Sequence, residues 1–182
     1  MSENLIVCLQ LRVYILAGSH FLYISILFKF VADTHPMEHY SSYTILTEQK
    51  LILCCFQGEI QMKDFTELHL KFLSDQAYDS SFNLIMDLRN SVVSRYSVDM
   101  LEYIKFFRKN IHLTKSIKSG ILISTSDLEI LFNIFRLFSR LNHIDVNRFH
   151  KIDDCLNWMQ FSENEKAIIE NALESISKHE IQ

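Results

Sequence analysis

Glycine and proline are scarce in this chain: 3 and 1 among 182 residues. A backbone that cradles phosphate needs glycines at its tight turns, so this composition argues against a phosphate loop or a dinucleotide fingerprint. Gly/Ser and Pro-rich linkers are excluded for the same reason. Basic residues are not in excess. Lys and Arg total 18 against 22 Asp and Glu, a formal net charge of -4, which leaves no electrostatic footprint for nucleic acid. The four cysteines (Cys8, Cys54, Cys55 and Cys155) form no CxxC pair. Cys54 and Cys55 are adjacent in an apolar strand pattern, so their side chains point to opposite faces. We expect buried thiols in a reducing compartment rather than a zinc site. The eight histidines are scattered, and none sits beside a Ser or Cys in a nucleophile motif. These absences lead us to expect no catalytic constellation, no metal and no cofactor.

What is present is apolar and aromatic. Hydrophobic residues make up 48% of the chain and 14 are Phe, which argues against disorder. Leu5 to Val31 is nearly continuous apolar sequence, interrupted by Gln10, Arg12, His20 and Lys29. About 20 residues cross a hydrocarbon core. A span from Val13 to Phe28 would still hold His20 and be short. A signal peptide fits poorly, because Glu3 stands where a basic cluster belongs. Three readings stay open for residues 1–36: translated upstream sequence with Met37 as the true start, a membrane anchor, or an element packed on the domain. The domain reading is then 1–36 as an apolar extension, 37–160 as the main domain and 161–182 as a charged terminal helix.

Residues 40 to 160 alternate between strand and helix patterns. Ser42 to Thr47 and Lys50 to Gln57 read as a hairpin, turning at Glu48-Gln49, with Gly58 breaking the pattern. Met62 to Leu73 has Phe65, Leu68, Phe72 and Leu73 at helical spacing. Phe82 to Leu88 reads as a buried strand ending in Asp-Leu-Arg, followed by a polar loop. Ser97 caps a helix from Val98 to Ile111. Lys118 to Ser124 is a strand. Ser126 and Glu129 open a helix through Leu141. Asp145 to Phe149 is a strand, and Asp153 to Met159 a short helix. Ser162 and Glu165 begin the terminal helix to Lys178. The order β-β-α-β-α-β-α-β-α implies an α/β fold, a mixed sheet covered by helices.

That order resembles the STAS domain, and more narrowly the SpoIIAA-like family of bacterial proteins, some described as STAS or SEC14-like. The matching pieces are Lys50 to Gly58, Tyr78 to Asn83, Met86-Asp87-Leu88-Arg89, Gly120-Ile121-Leu122-Ile123 and Ile152 to Met159. The likeness spans Tyr43 to Met159. Anti-anti-sigma members of the wider fold carry Asp-Ser-Ser-Gly at the start of the helix after the third strand, where a kinase modifies a serine. The corresponding stretch here is Arg95-Tyr96-Ser97-Val98. Its Asp and Gly are absent, and Tyr96 stands where the modified serine would.

The resemblance implies a non-enzymatic regulatory or binding module in the cytoplasm. It would dock a protein partner through the loop and helix after the central strand. Candidate contact residues are Asp87 and Arg89 at the strand's end, then Ser94, Arg95, Tyr96 and Ser97 in the loop. Each also has a structural reading: Asp87 bonding loop amides, Arg89 pairing with a carboxylate, Ser97 as a helix cap. The Phe-rich stretch Leu131 to Leu141, with Phe132, Phe135 and Phe138, supplies an alternative, an apolar groove carrying a lipid or small apolar ligand. Ordinarily such a stripe is core. A membrane-tethered sensor is a further alternative, through residues 5–31.

Overall fold

The computed structural model describes residues 39–93, 105–106, 109, 118–124, 128–129, 132–133, 136, 139 and 144–178. All lie in the unit Pro36–Gln182. Five strands form one sheet: β1 (Tyr40–Leu46), β2 (Leu51–Ile60), β3 (Asn83–Val93), β4 (Lys118–Leu122) and β5 (Asp145–Phe149). Their order across the sheet is their order in the chain. β1 runs antiparallel to β2, and β2 through β5 are parallel. Helix α1 (Met62–Leu73) follows β2, and α2 (Ile152–Met159) and α3 (Glu163–Ser177) follow β5. This is the mixed sheet covered by helices that the hydrophobic pattern called for. Residues 105, 106 and 109 are helical, as are 128, 129, 132, 133, 136 and 139. Both sets fall where helices were expected.

The hairpin turn is tight. Lys50 donates its N–H to Thr47 O at 3.2 Å. Lys50 sits at φ 50°, a left-handed position that glycine usually takes, at a cost of roughly 1 kcal/mol for a side chain. Helix α1 starts without a serine or threonine. Instead, Asp64 in the first turn accepts the Gln61 N–H at 2.7 Å, satisfying one free donor of the helix end.

Strand alternation builds two cores, one on each face. On one face Ile52, Cys54, Phe56, Met86 and Ile121 pack under α1 and under Leu128 and Phe132. On the other Leu51, Leu53, Cys55, Ile85 and Leu122 pack under α2 and α3, against Cys155, Leu156 and Ile169. The adjacent Cys54 and Cys55 therefore lie in different cores, as expected. β2 is buried without interruption from Leu51 to Phe56, the signature of a strand covered on both sides. Each fully buried large apolar side chain contributes about 1.5–3 kcal/mol.

Phe106, Leu128 and Phe132, from the described helical residues after β3 and β4, pack on the α1 face. Among the described residues the other face is closed by the two C-terminal helices. Lys166 ties those two together: its ammonium donates to Asn157 Oδ1 and Glu163 Oε1, each at 2.6 Å, and pairs with Asp153 at 3.3 Å.

Two strand ends differ from the sequence reading. Gly58 does not end β2, which continues to Ile60 with Gly58 at φ 78°. β3 runs through Arg89, Asn90 and Ser91 to Val93, where a polar loop was expected. The cause is mutual pairing. Gln57 to Ile60 lie beside Asn90 to Val93, so each extension satisfies the other's backbone.

Candidate functional site

The register of β2 against β3 slips by one residue at the centre of the sheet. Cys55 lies opposite Asp87, but Gln57 lies opposite Asn90. The extra residue makes a β-bulge in β3 at Leu88-Arg89, a device that kinks a strand and re-aims a side chain. Before the bulge, Asp87 belongs to the α3 side of the sheet. After it, Ser91 and Val93 share the α1 side with Gly58 and Ile60.

Asp87 and Arg89 meet at this bulge. Asp87 Oδ1 accepts from Arg89 Nε at 2.9 Å and from the Arg89 backbone N–H at 3.1 Å, while Oδ2 accepts from Nη2 at 2.7 Å. This bidentate, charge-assisted pair fixes the guanidinium plane. The carboxylate side chain is 7% exposed and the guanidinium side chain 33%. Hydrogen bonding to Asp87 pushes the Arg89 pKa further up. Both residues lie inside β3. The expectation that they close the strand is corrected, because the bulged ladder carries β3 four residues past Arg89.

Around the pair the sheet opens. Gln57 donates to the carbonyl of Ser177 at 2.6 Å, so the end of α3 reaches that far and no further. Beyond it Glu59, Asn90 and Val92 are exposed on the same face, Val92 at 49%. On the other side, Ser124 donates its hydroxyl to Arg89 O at 2.7 Å. His150 Nδ1–H donates to Ile123 O at 2.9 Å. Sequence reading missed Ser124 and His150, although both stand at strand ends, where such folds place their sites. Open α/β sheets bind ligands in the crevice where strand order reverses. Among the described strands the order does not reverse.

The three described thiols are poor nucleophiles. Burial pushes Cys55 up to about 11, helped by the neighbouring Asp87 charge. Burial alone pushes Cys155 up to about 12, and burial with the neighbouring Cys55 pushes Cys54 higher still. His69, on the inner face of α1, is buried. Burial lowers its pKa to about 4, and its Nδ1–H donates to Phe65 O at 2.9 Å.

Phe132, named for an apolar groove, is a core residue. It packs with Leu128 and Ile144 and is 3% exposed. The guanidinium carbons of Arg136 and Arg148 lie 5.8 and 5.7 Å from its ring centre. Phe135 and Phe138 lie outside the described residues, as do Ser94, Arg95, Tyr96, Ser97 and the whole of residues 1–36. Among the described residues no three His, Cys, Asp or Glu side chains converge to hold a metal ion. None of the described helices is long and apolar enough to cross a membrane.

With this geometry in hand, the comparisons with known proteins are brief. No family model matches the chain. No curated protein matches it. A solved structure does: an uncharacterized protein from the DUF3478 family with a SpoIIAA-like fold, from Shewanella loihica PV-4. The two share 14% identity with a TM-score of 0.44, over 66% of this chain and 94% of that one. Identity at that level says nothing of partner or activity.

Proposed function

We propose that this chain is a non-enzymatic STAS-like regulatory or binding module of the cytoplasm that docks a protein partner at the carboxyl end of β2 and β3. The observation that carries the reading is Arg89, held in one orientation by the buried Asp87, with its side chain 33% exposed and the exposed Val92 three residues on in the same strand. A pre-oriented guanidinium next to exposed apolar surface is the kind of anchor that dominates protein interfaces. Little side-chain entropy remains for it to lose on binding. Ser94, Arg95, Tyr96 and Ser97 follow directly in sequence and carry hydroxyls, a second guanidinium and a phenol.

The test is a photo-cross-linking amino acid at position 92 in the cells that make the protein, compared with the same probe at the exposed Leu70 on α1. One discrete protein adduct at position 92, absent at position 70 and lost when Arg89→Ala is added, is the expected result. Equal labelling at both positions, or none at 92, would refute docking at this rim. Binding to Arg89→Ala should weaken by at least about tenfold, the scale of an interface arginine.

A further inference from the structure

A second arginine centre lies at β5, two strands away from Arg89. Arg148 stands on the α1 side of the sheet, the side that Val146 also faces. Phe132, from the helical residues after β4, packs there too. Side chains on a helix lean toward its N-terminus, so Arg136 reaches back over Phe132, one turn earlier. The guanidinium carbons of Arg136 and Arg148 thus meet at one ring, 5.8 and 5.7 Å from its centre. Attraction to the ring's negative face holds each guanidinium in place. The ring itself is buried, while both arginines are open to solvent.

The charges at this ring do not balance. Arg148 is paired with Glu129 at 2.8 Å, with side chains 39% and 41% exposed. A pair so exposed adds little stability and opens readily. Arg136 meets the ring and, among the described residues, no carboxylate. Asn133 and Arg136 are exposed four and seven residues after Glu129, on the same helix face. Asp145 does not enter, because strand alternation turns it to the other side of the sheet.

We propose that Arg136 and Arg148 form a binding site for a phosphate monoester dianion, which displaces Glu129 and takes Asn133 as a further donor. Guanidinium forks match phosphate oxygens two at a time. Each arginine offers five N–H donors and no acceptor, so the pair turns a surplus of donors outward. Glu129 brings one charge on two oxygens and engages Arg148 alone. A phosphate monoester brings nearly two charges and three acceptor oxygens, enough for both arginines. The site is made of side chains, so it needs no glycine-rich loop. It is also independent of docking at Arg89, since β4 stands between β3 and β5.

Methyl phosphate is the probe, because it carries the monoester dianion and little else. Titrated into the isotope-labelled full chain at constant ionic strength, it should shift the amide resonances of Asn133, Arg136 and Arg148. Arg136→Gln and Arg148→Gln should each weaken binding at least about fivefold. Glu129→Gln should tighten it at least about threefold, a direction that misfolding cannot produce. Dimethyl phosphate, a diester with a single charge, should bind at least about tenfold more weakly. Lys178→Gln, just past the end of α3, should change nothing. Vesicles of phosphatidylcholine with phosphatidic acid identify the source of the ester. Sedimentation with them that is lost in Arg136→Gln supports the site and assigns it a lipid headgroup. Methyl phosphate binding without such sedimentation supports it and assigns a soluble ester. No shift at the three residues would overturn the proposal. So would binding indifferent to both arginine substitutions, an equal loss in Lys178→Gln, or a diester bound as tightly as the monoester.

Discussion

Gly120 in β4 makes the packing of α2 quantitatively testable. A Cβ placed on Gly120 would overlap Cys155 Sγ, lie 3.2 Å from Met159 Cε and sit 3.7 Å from Ile85 Cγ1. The strand cannot yield, because Gly120 is laddered to Ile85 on one side and Asn147 on the other. Helix α2 yields poorly, because Cys155 and Leu156 are both fully buried. Gly120→Ala should therefore cost about 2 kcal/mol, the usual scale of overpacking. The roughly 0.5–1 kcal/mol that Ala gains over Gly inside a strand offsets only part of the clash. Cys155→Ala alone removes one buried heavy atom and should cost about 1 kcal/mol. Combined, the two fit: the new methyl enters the space the sulfur leaves. The double variant should come within about 0.5 kcal/mol of the parent, a coupling of at least about 2 kcal/mol. Urea unfolding measures all four proteins. Trp158, the chain's single tryptophan, reports from α2 itself, beside Phe149 at 5.5 Å and the Lys118 ammonium at 5.2 Å. A neutral Gly120→Ala, or two single effects that simply add, would refute the packing argument.

Other predictions rest on buried polar groups. Burial holds His69 neutral to about pH 4, while in the unfolded chain it takes a proton near pH 6.5. Stability is then full above about pH 6.5 and falls toward pH 4, by up to about 3 kcal/mol. Urea midpoints at pH 7.5 and 4.5 should fall more steeply for the parent than for His69→Gln, and equal slopes would rule the assignment out. The Ser119 hydroxyl is buried in β4 with no hydrogen-bond partner among the described residues. Ser119→Ala should raise stability by about 1 kcal/mol in thermal melts, and a clear loss would show that the hydroxyl is satisfied. At the bulge, Arg89→Ala should destabilise by about 3 kcal/mol or more, because it strands a buried carboxylate. Asp87→Asn should cost about 2 kcal/mol and Val92→Glu little. If Val92→Glu nevertheless abolishes binding of the partner captured by the cross-linker while melting normally, docking and folding are separated at this rim.

Much of the architecture was legible in the chain. The continuous apolar run Leu51 to Phe56 and the short stretch Asp145 to Phe149 marked strands, and the 3.6-residue spacing over Met62 to Leu73 marked α1 to the residue. The adjacent Cys54 and Cys55 were bound to enter opposite cores, because strand alternation is a local property. The ends of β2 and β3 were less legible. Gly58 and the polar run Arg89-Asn90-Ser91 look like strand breakers in isolation, yet each strand is held by the other's backbone.

The site shows the same division. Asp87 and Arg89 could be singled out from their place beside an apolar strand, and their i, i+2 spacing already allowed a pair. That the pair forms at a bulge, with one partner buried and the other half open, depends on a one-residue slip between strands 30 residues apart. Ser124 and His150 reach the same rim only because β4 and β5 stack beside β3. Phe132 appeared eligible for a groove because its helix is apolar on many sides, and packing alone placed it in the core. Local periodicity and composition thus set the elements and their faces, since they depend on neighbours a few residues apart. Register, strand ends and the grouping of polar side chains depend on which backbone lies alongside which, and the tertiary structure alone decided them.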